Sequence, residues 1–343
     1  MSVLHIFNPD HDYALGAGTI SYTPPRQICD MMRRLAGLPS LWAEADDRIA
    51  APDAKSLAGI DWMNIERIEP WGWNLPLRRL LLRCGAPETL LPSENDIAVL
   101  RNLSHRRTSI LLNRHLEDSG IDGIDSDSMP REVTEPEECM RIIADLPQSY
   151  FKAPWSSSGR GVLRCEGVTP ADARRWIEGI IRRQGSVMHE SEASRRLDCA
   201  SLWECRGGKP HYLGLSIFRT SFRGKYHGNI CAPQSMLEER FSEACDVPLS
   251  SLIQAQKEAL ADIIAPHYSG PAGIDMIVTD TRLLRPCIEI NLRTTMGHVA
   301  LRYRRRLERD FGGEWRPDPY GLMINDILTY GQTGLYIEKP GMA

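Results

Sequence analysis

Cys287-Ile288-Glu289-Ile290-Asn291-Leu292-Arg293 begins twelve residues after Asp275, itself within Gly273-Ile274-Asp275-Met276-Ile277-Val278. Strand side chains alternate between faces, so Glu289 and Asn291 are expected on one side, with Ile288 and Ile290 on the other. The apolar pair then enters a core while the polar pair faces a cleft. With Thr279-Asp280-Thr281-Arg282 as a turn, the two runs make an antiparallel hairpin that sets Asp275 within a rung or two of the polar pair. Two carboxylates and an amide oxygen converge on a small volume. Such hard oxygen ligands suit Mg²⁺, with Mn²⁺ as a substitute, the shell being completed by water and substrate phosphates. The competing reading is a solvated strand face. It is disfavoured because an exposed face rarely needs Asn beside Glu inside an Ile-rich strand.

The chain has 343 residues, more than one ordinary core accommodates, and two or three lobes are expected. A formal charge of −4 implies no field strong enough to collect nucleic acid or an anionic membrane surface. The basic run Arg302 to Arg309 (RYRRRLER) reads as the solvated face of a helix. Nine cysteines without a CxxC pair argue against a disulfide framework or a zinc site and fit a reducing compartment. The N-terminal run Val3 to Phe7 reads as a first strand and not a leader, and no apolar run approaches the ~18 to 20 residues that span a bilayer. A cytoplasmic protein is expected, with no nucleic-acid or membrane partner; a homodimer is left open.

Val3 to Asn8 reads as a buried parallel strand. Pro24 and Pro25 open a helix carrying Ile28, Met31, Met32 and Leu35, which Gly37 closes. Further helices are expected at 77–82, 110–116 and 252–264, and others begin at Thr134 and Thr169. Ser149 to Lys152 and Val162 to Cys165 form a hairpin around a Ser/Gly loop. Strands follow at 186–190, 200–204 and 212–218, with Gly207-Gly208 as a turn. The outline is an α/β lobe over residues 1–100, then an α+β body over 101–330 with a small flap at about 145–190.

Several further constellations carry chemistry. The loop Ser156-Ser157-Ser158-Gly159-Arg160-Gly161 offers backbone N–H groups, hydroxyls and a cation to an oxyanion, or merely turns a hairpin. Lys152, flanked by Tyr150, Phe151 and Pro154, calls for an anion unless it snorkels to solvent. Asn8-Pro9-Asp10-His11-Asp12-Tyr13 reads as a loop at the edge where α/β sheets collect ligands; Asn8, His11 and Asp12 either grip a substrate or close an Asx turn. Tyr226 and His227 are read as substrate or loop-packing residues.

In order along the chain, Phe151-Lys152-Ala153-Pro154 with the Ser/Gly loop, Val187-Met188-His189-Glu190, Gly273-Ile274-Asp275 and Glu289-Ile290-Asn291-Leu292-Arg293 resemble the motifs of the ATP-grasp superfamily. The resemblance covers roughly residues 95 to 310. It implies an ATP-grasp fold preceded by a βα lobe, with ATP and Mg²⁺ bound. Lys152 would contact the α-phosphate and adenine side, and the loop through Ser157, Ser158, Gly159, Arg160 and Gly161 the β- and γ-phosphates. Met188 to Glu190, including His189, would present backbone groups to adenine, with Glu190 or Asp198 on the ribose. Asp275, Glu289 and Asn291 would hold the metal, and Arg293 would stabilise the transferring phosphoryl group. Where relatives carry a lysine, this chain has Arg106 and Arg107, and either can take that contact. The implied activity is an ATP-dependent ligase that joins a small-molecule carboxylate to an amine or thiol acceptor through an acyl phosphate, releasing ADP and phosphate. A small-molecule kinase or a nucleotide-binding module without turnover are the alternatives.

Overall fold

The computed structural model describes residues 2–125, 129–156, 161–220 and 226–310, together with the backbone of strands at 320–324 and 335–338. The chain opens with β1 (Ser2–Ile6), α1 (His11–Ala17), α2 (Arg26–Arg34), β2 (Arg48–Ala50), α3 (Ala54–Leu57), β3 (Ile65–Pro70) and α4 (Leu75–Arg83). Its three strands form a parallel sheet in the order β2-β1-β3, as the buried run Leu4–Ile6 requires. Leu4, Ile6, Leu57, Leu77 and Leu81 make its core. The expected loop at 8–13 is a correction: it turns helical at His11, because Ala14 and Leu15 bury inward and Gly18, at φ 62°, caps the short helix.

Two helices, α5 (Glu94–Leu103) and α6 (Thr108–Asp118), lead into β4 (Arg131–Val133), α7 (Pro136–Asp145), β5 (Ser149–Lys152), β6 (Val162–Arg164), α8 (Pro170–Gln184) and β7 (Val187–Ser191). The expected β5–β6 hairpin is present, but it belongs to a four-stranded sheet, β4-β7-β5-β6. Phe151, Ile177 and Val187 fill the space between that sheet and α7 and α8. Thr169 caps α8 by accepting from Asp172 N–H and Gly185 ends it, as the sequence implies. The N-cap of α7 is Glu135 without a side-chain bond, and not Thr134.

The remaining body is a seven-stranded antiparallel sheet, β12-β11-β8-β9-β10-β13-β14. It comprises β8 (Leu197–Arg206), β9 (Lys209–Thr220), β10 (Tyr226–Cys231), α9 (Gln234–Ala244), α10 (Leu249–Ile263), β11 (Gly270–Val278), β12 (Leu284–Asn291), α11 (Met296–Asp310), β13 (Tyr320–Ile324) and β14 (Leu335–Glu338). Leu112, Leu116, Phe241, Leu252 and Leu260 cover one face of the sheet through Ile274, Met276 and Ile290, forming the largest core. Leu301 of α11 covers the other face at Ala200 and Leu202. That second face carries the candidate site, because Asp275 stands opposite Ala200 and Gly273 opposite Leu202.

Candidate functional site

Asp275 pairs with Glu289 and Gly273 with Asn291 across the β11–β12 ladder, so the three polar side chains share one patch. The turn at 279–283 closes as expected: Thr279 N–H donates to Leu283 O and Arg282 N–H to Thr279 O. Arg282 adopts φ 67°, held by Asp246 and the Glu243 carbonyl. One expectation is corrected. The register slips between Asp275 and Ile277, so strict alternation fails there: Cys287 and Ile290 are buried in the large core while Ile288 is only half-buried.

Within the patch, Asn291 Nδ2 donates to Asp275 Oδ2 at 3.0 Å. Burial and the neighbouring Glu289 charge push the Asp275 carboxyl up to about 7, against the pull of Arg293, the Asn291 bond and Arg106. A half-buried carboxylate beside a second carboxylate is a fit for a divalent cation. Among the described residues no group of three His, Cys, Asp or Glu is arranged around a metal position. The donor set is instead two carboxylates and one amide oxygen, the kind that binds Mg²⁺ together with substrate phosphates.

Cations ring this patch. Arg106 lies just before α6, with its guanidinium 2.8 Å from Glu289 Oε2; it also donates to Ala153 O at 3.1 Å and to Ser156 Oγ at 3.3 Å. Arg107 is more exposed and faces Glu132 at 3.7 Å. The structure therefore separates the two arginines: Arg106 joins the patch and Arg107 does not. Lys152, on β5, contacts Glu190 of β7 at 2.5 Å. Burial holds the Lys152 ammonium below its ordinary pKa, while Glu190 opposes the shift. Arg293 bonds Asp12 of α1 at 2.9 Å. Burial works against its charge, but Asp12, Glu289 and Asp275 outweigh it and hold its pKa above the usual value.

The other expected residues divide. Gly161 is at φ 72°, and a Cβ there would lie 2.8 Å from Ser156 Cβ, so only glycine fits this end of the loop. Ser157, Ser158, Gly159 and Arg160 lie outside the described residues. The backbone at Met188 and His189 pairs with β4 on one flank and β5 on the other, and Met188 is fully buried. Glu190, the last of the three expected to face adenine, pairs with β5 alone and has no β4 partner. Asp198 is held by Arg195 and by Thr220 Oγ1 at 2.5 Å. Asn8 brackets Gly72, donating to its carbonyl at 2.8 Å and accepting from its N–H. His11 is buried with its ring against Gly72, and burial lowers its pKa to about 4. Of the first-loop residues Asp12 contacts the patch, through Arg293. Tyr226 hydrogen-bonds Asn229, which donates to Ser216 opposite Ala200, and His227 is exposed.

Ser156, read with the Ser/Gly loop as a hydroxyl for an oxyanion, accepts from Arg106; sequence reasoning missed the cluster that roots the small sheet. There Ser186 Oγ donates to Glu132 Oε1 at 2.7 Å beside buried His105. An alternating polar residue next to a glycine-bounded strand was the available signal for Ser186.

No family model and no curated protein matches this sequence. Solved structures do resemble it. N5-carboxyaminoimidazole synthetase from Staphylococcus aureus complexed with ADP is 13% identical over 94% of this chain and 82% of that one, with a TM-score of 0.52. Biotin carboxylase from Campylobacter jejuni, in a β-γ-ATP complex, is 14% identical over 92% and 72%, also at 0.52. Both are ATP-grasp enzymes, and the chain has the ATP-grasp fold.

Proposed function

We propose that this protein is an ATP- and Mg²⁺-dependent ligase that joins a small-molecule carboxylate to an amine or thiol through an acyl phosphate. The observation that carries the reading is the Asp275–Glu289 rung, completed by Asn291 and flanked by Arg106, Lys152 and Arg293. Asp275, Glu289 and Asn291 would hold Mg²⁺, which supplies charge neutralisation at the phosphates. Arg106 takes the phosphate contact left open between two arginines, since it is the one that reaches the patch. Lys152, desolvated and tied to a carboxylate it can exchange for a phosphate oxygen, serves beside it.

Arg293 is placed to balance charge on the transferring phosphoryl group and on the attacking carboxylate, with Asp12 fixing its orientation. The substrate carboxylate oxygen bonds to the γ-phosphorus as the bond to the ADP oxygen breaks. The acceptor then adds at the acyl carbon, phosphate departs, and the proton of the amine or thiol goes to solvent or to the leaving phosphate. Positioning and charge neutralisation supply the rate, and no side-chain nucleophile is required.

The test is incubation with Mg-ATP and pools of carboxylates and amines or thiols, measuring ADP, AMP and phosphate separately. ADP and phosphate formed together with an amide or thioester are expected. AMP would contradict the acyl-phosphate route, and a stable phosphorylated product would make the protein a kinase.

A further inference from the structure

A cavity of about 280 Å³ lies where β3 and the segment after it meet β8, β11 and α11. Its charged lining is Arg67, Glu69, Glu204, Arg206, Arg293 and Arg302, and Trp71, Trp73 and Tyr268 give it apolar wall. A volume of this size suits a compact metabolite and not a polymer.

Three of those charges are already matched by contact. Arg67 bonds Glu69 at 2.9 Å, and Arg293 bonds Asp12. The rest are not. Among the described residues Arg206 and Arg302 have no carboxylate within ion-pair distance, and Arg302 lies instead over the Trp42 ring at 5.6 Å. Glu204 is half-buried and likewise makes no contact ion pair. Burial raises its pKa, while Arg302, Arg206 and Arg67 pull it back from a distance. Two guanidiniums and one carboxylate outside any contact ion pair thus line the space, Arg206 at its exposed rim and Arg302 and Glu204 half-buried. Charges of both signs gathered around one cavity without direct pairing make it complementary to a ligand of the opposite pattern.

We propose that this cavity binds a small molecule carrying two anionic groups and one amine, an acidic amino acid being the simplest example. Arg206 and Arg302 receive the anionic groups and Glu204 receives the amine. The assignment deepens the ligase reading and rests on it for the bound molecule's role as a substrate, because Arg293 lines this cavity and also feels Asp275 and Glu289.

Calorimetric titration of the full chain, with and without Mg-ADP, tests it using L-aspartate, L-glutamate, succinate, glutarate and L-alanine. An acidic amino acid is expected to bind about ten-fold or more tightly than the dicarboxylate of equal length or L-alanine. Arg206→Gln, at an exposed position that leaves the fold intact, should weaken that binding at least about five-fold. Glu204→Gln should erase the preference for glutamate over glutarate while glutarate still binds. The cavity assignment is overturned if none of the five binds in either condition, if the dicarboxylates match the amino acids, or if Arg206→Gln changes nothing. Mg-ADP titrated alone separates the two readings: nucleotide binding without amino-acid binding removes only the cavity assignment, and the reverse removes only the ligase reading.

Discussion

At the residue scale, the patch pairs its own charges: Arg106 holds Glu289 and Lys152 holds Glu190. On the proposed reading a metal ion and a phosphate chain would take over these partners, giving each side chain one role before loading and another after it. Glu289→Ala should abolish turnover through lost metal affinity and destabilise the fold by about 1 to 3 kcal/mol, because Arg106 loses its charged partner. Combining it with Arg106→Met should recover part of that stability and none of the turnover; calorimetric unfolding and an ADP assay on the same samples decide it. Gly72→Ala offers a second check. A Cβ there would sit 2.5 Å from His11 Cγ, and the overlap should cost about 1 to 3 kcal/mol in urea unfolding. Pairing it with His11→Ala should return most of the loss. Asp275, Glu289 and Asn291 were legible in sequence because a period of two and a four-residue turn place them locally. The choice between Arg106 and Arg107 was not, since it depends on Glu289, far along the chain, and adjacent helix-entry residues look alike.

At the scale of elements, long strands and helices followed from local rules, while α1 did not. It is 7 residues long, lacks a side-chain cap and is secured by packing, for Gly16 lies so close that a Cβ would be 3.0 Å from Trp155 Cβ. The basic helix α11 departs from its reading in part. Arg305 and Arg309 are exposed, as a solvated face implies, yet Arg306 docks on the segment after α2, donating to the carbonyls of Ser40 and Ala43 at 2.8 and 3.0 Å, and Arg309 reaches Glu44. Charge patterning could not reveal this, because the acceptors are mostly backbone carbonyls, which carry no sequence signature. Arg306→Ala should destabilise the protein by about 1 to 2 kcal/mol and speed hydrogen exchange at residues 38–44. Unchanged exchange in that segment would show the contacts to be energetically idle.

At the scale of the whole molecule, buried neutral histidines make the assembly acid-sensitive. Burial pushes His105 and His298 down to about 3, with nearby arginines adding to the shift. In the unfolded chain both titrate near ~6.5, so below that pH the unfolded state takes up protons that the native state refuses. Their contribution is present above ~6.5 and is lost progressively as pH falls toward about 3. His298→Gln should therefore be less stable than wild type at pH 8, and the gap should narrow as pH drops from ~6.5 to ~4. A gap that stays constant in urea unfolding across that range would remove His298 from the acid response.

The strand bearing Glu289 and Asn291 runs through Arg293 directly into α11, and that helix is fastened by Arg306 to the first lobe. Arg293 is fastened to the same lobe a second time, through Asp12. A shift of the β1–β3 sheet would therefore reach Arg293 by two routes, through Asp12 and through α11, and a molecule seated between them would feel both.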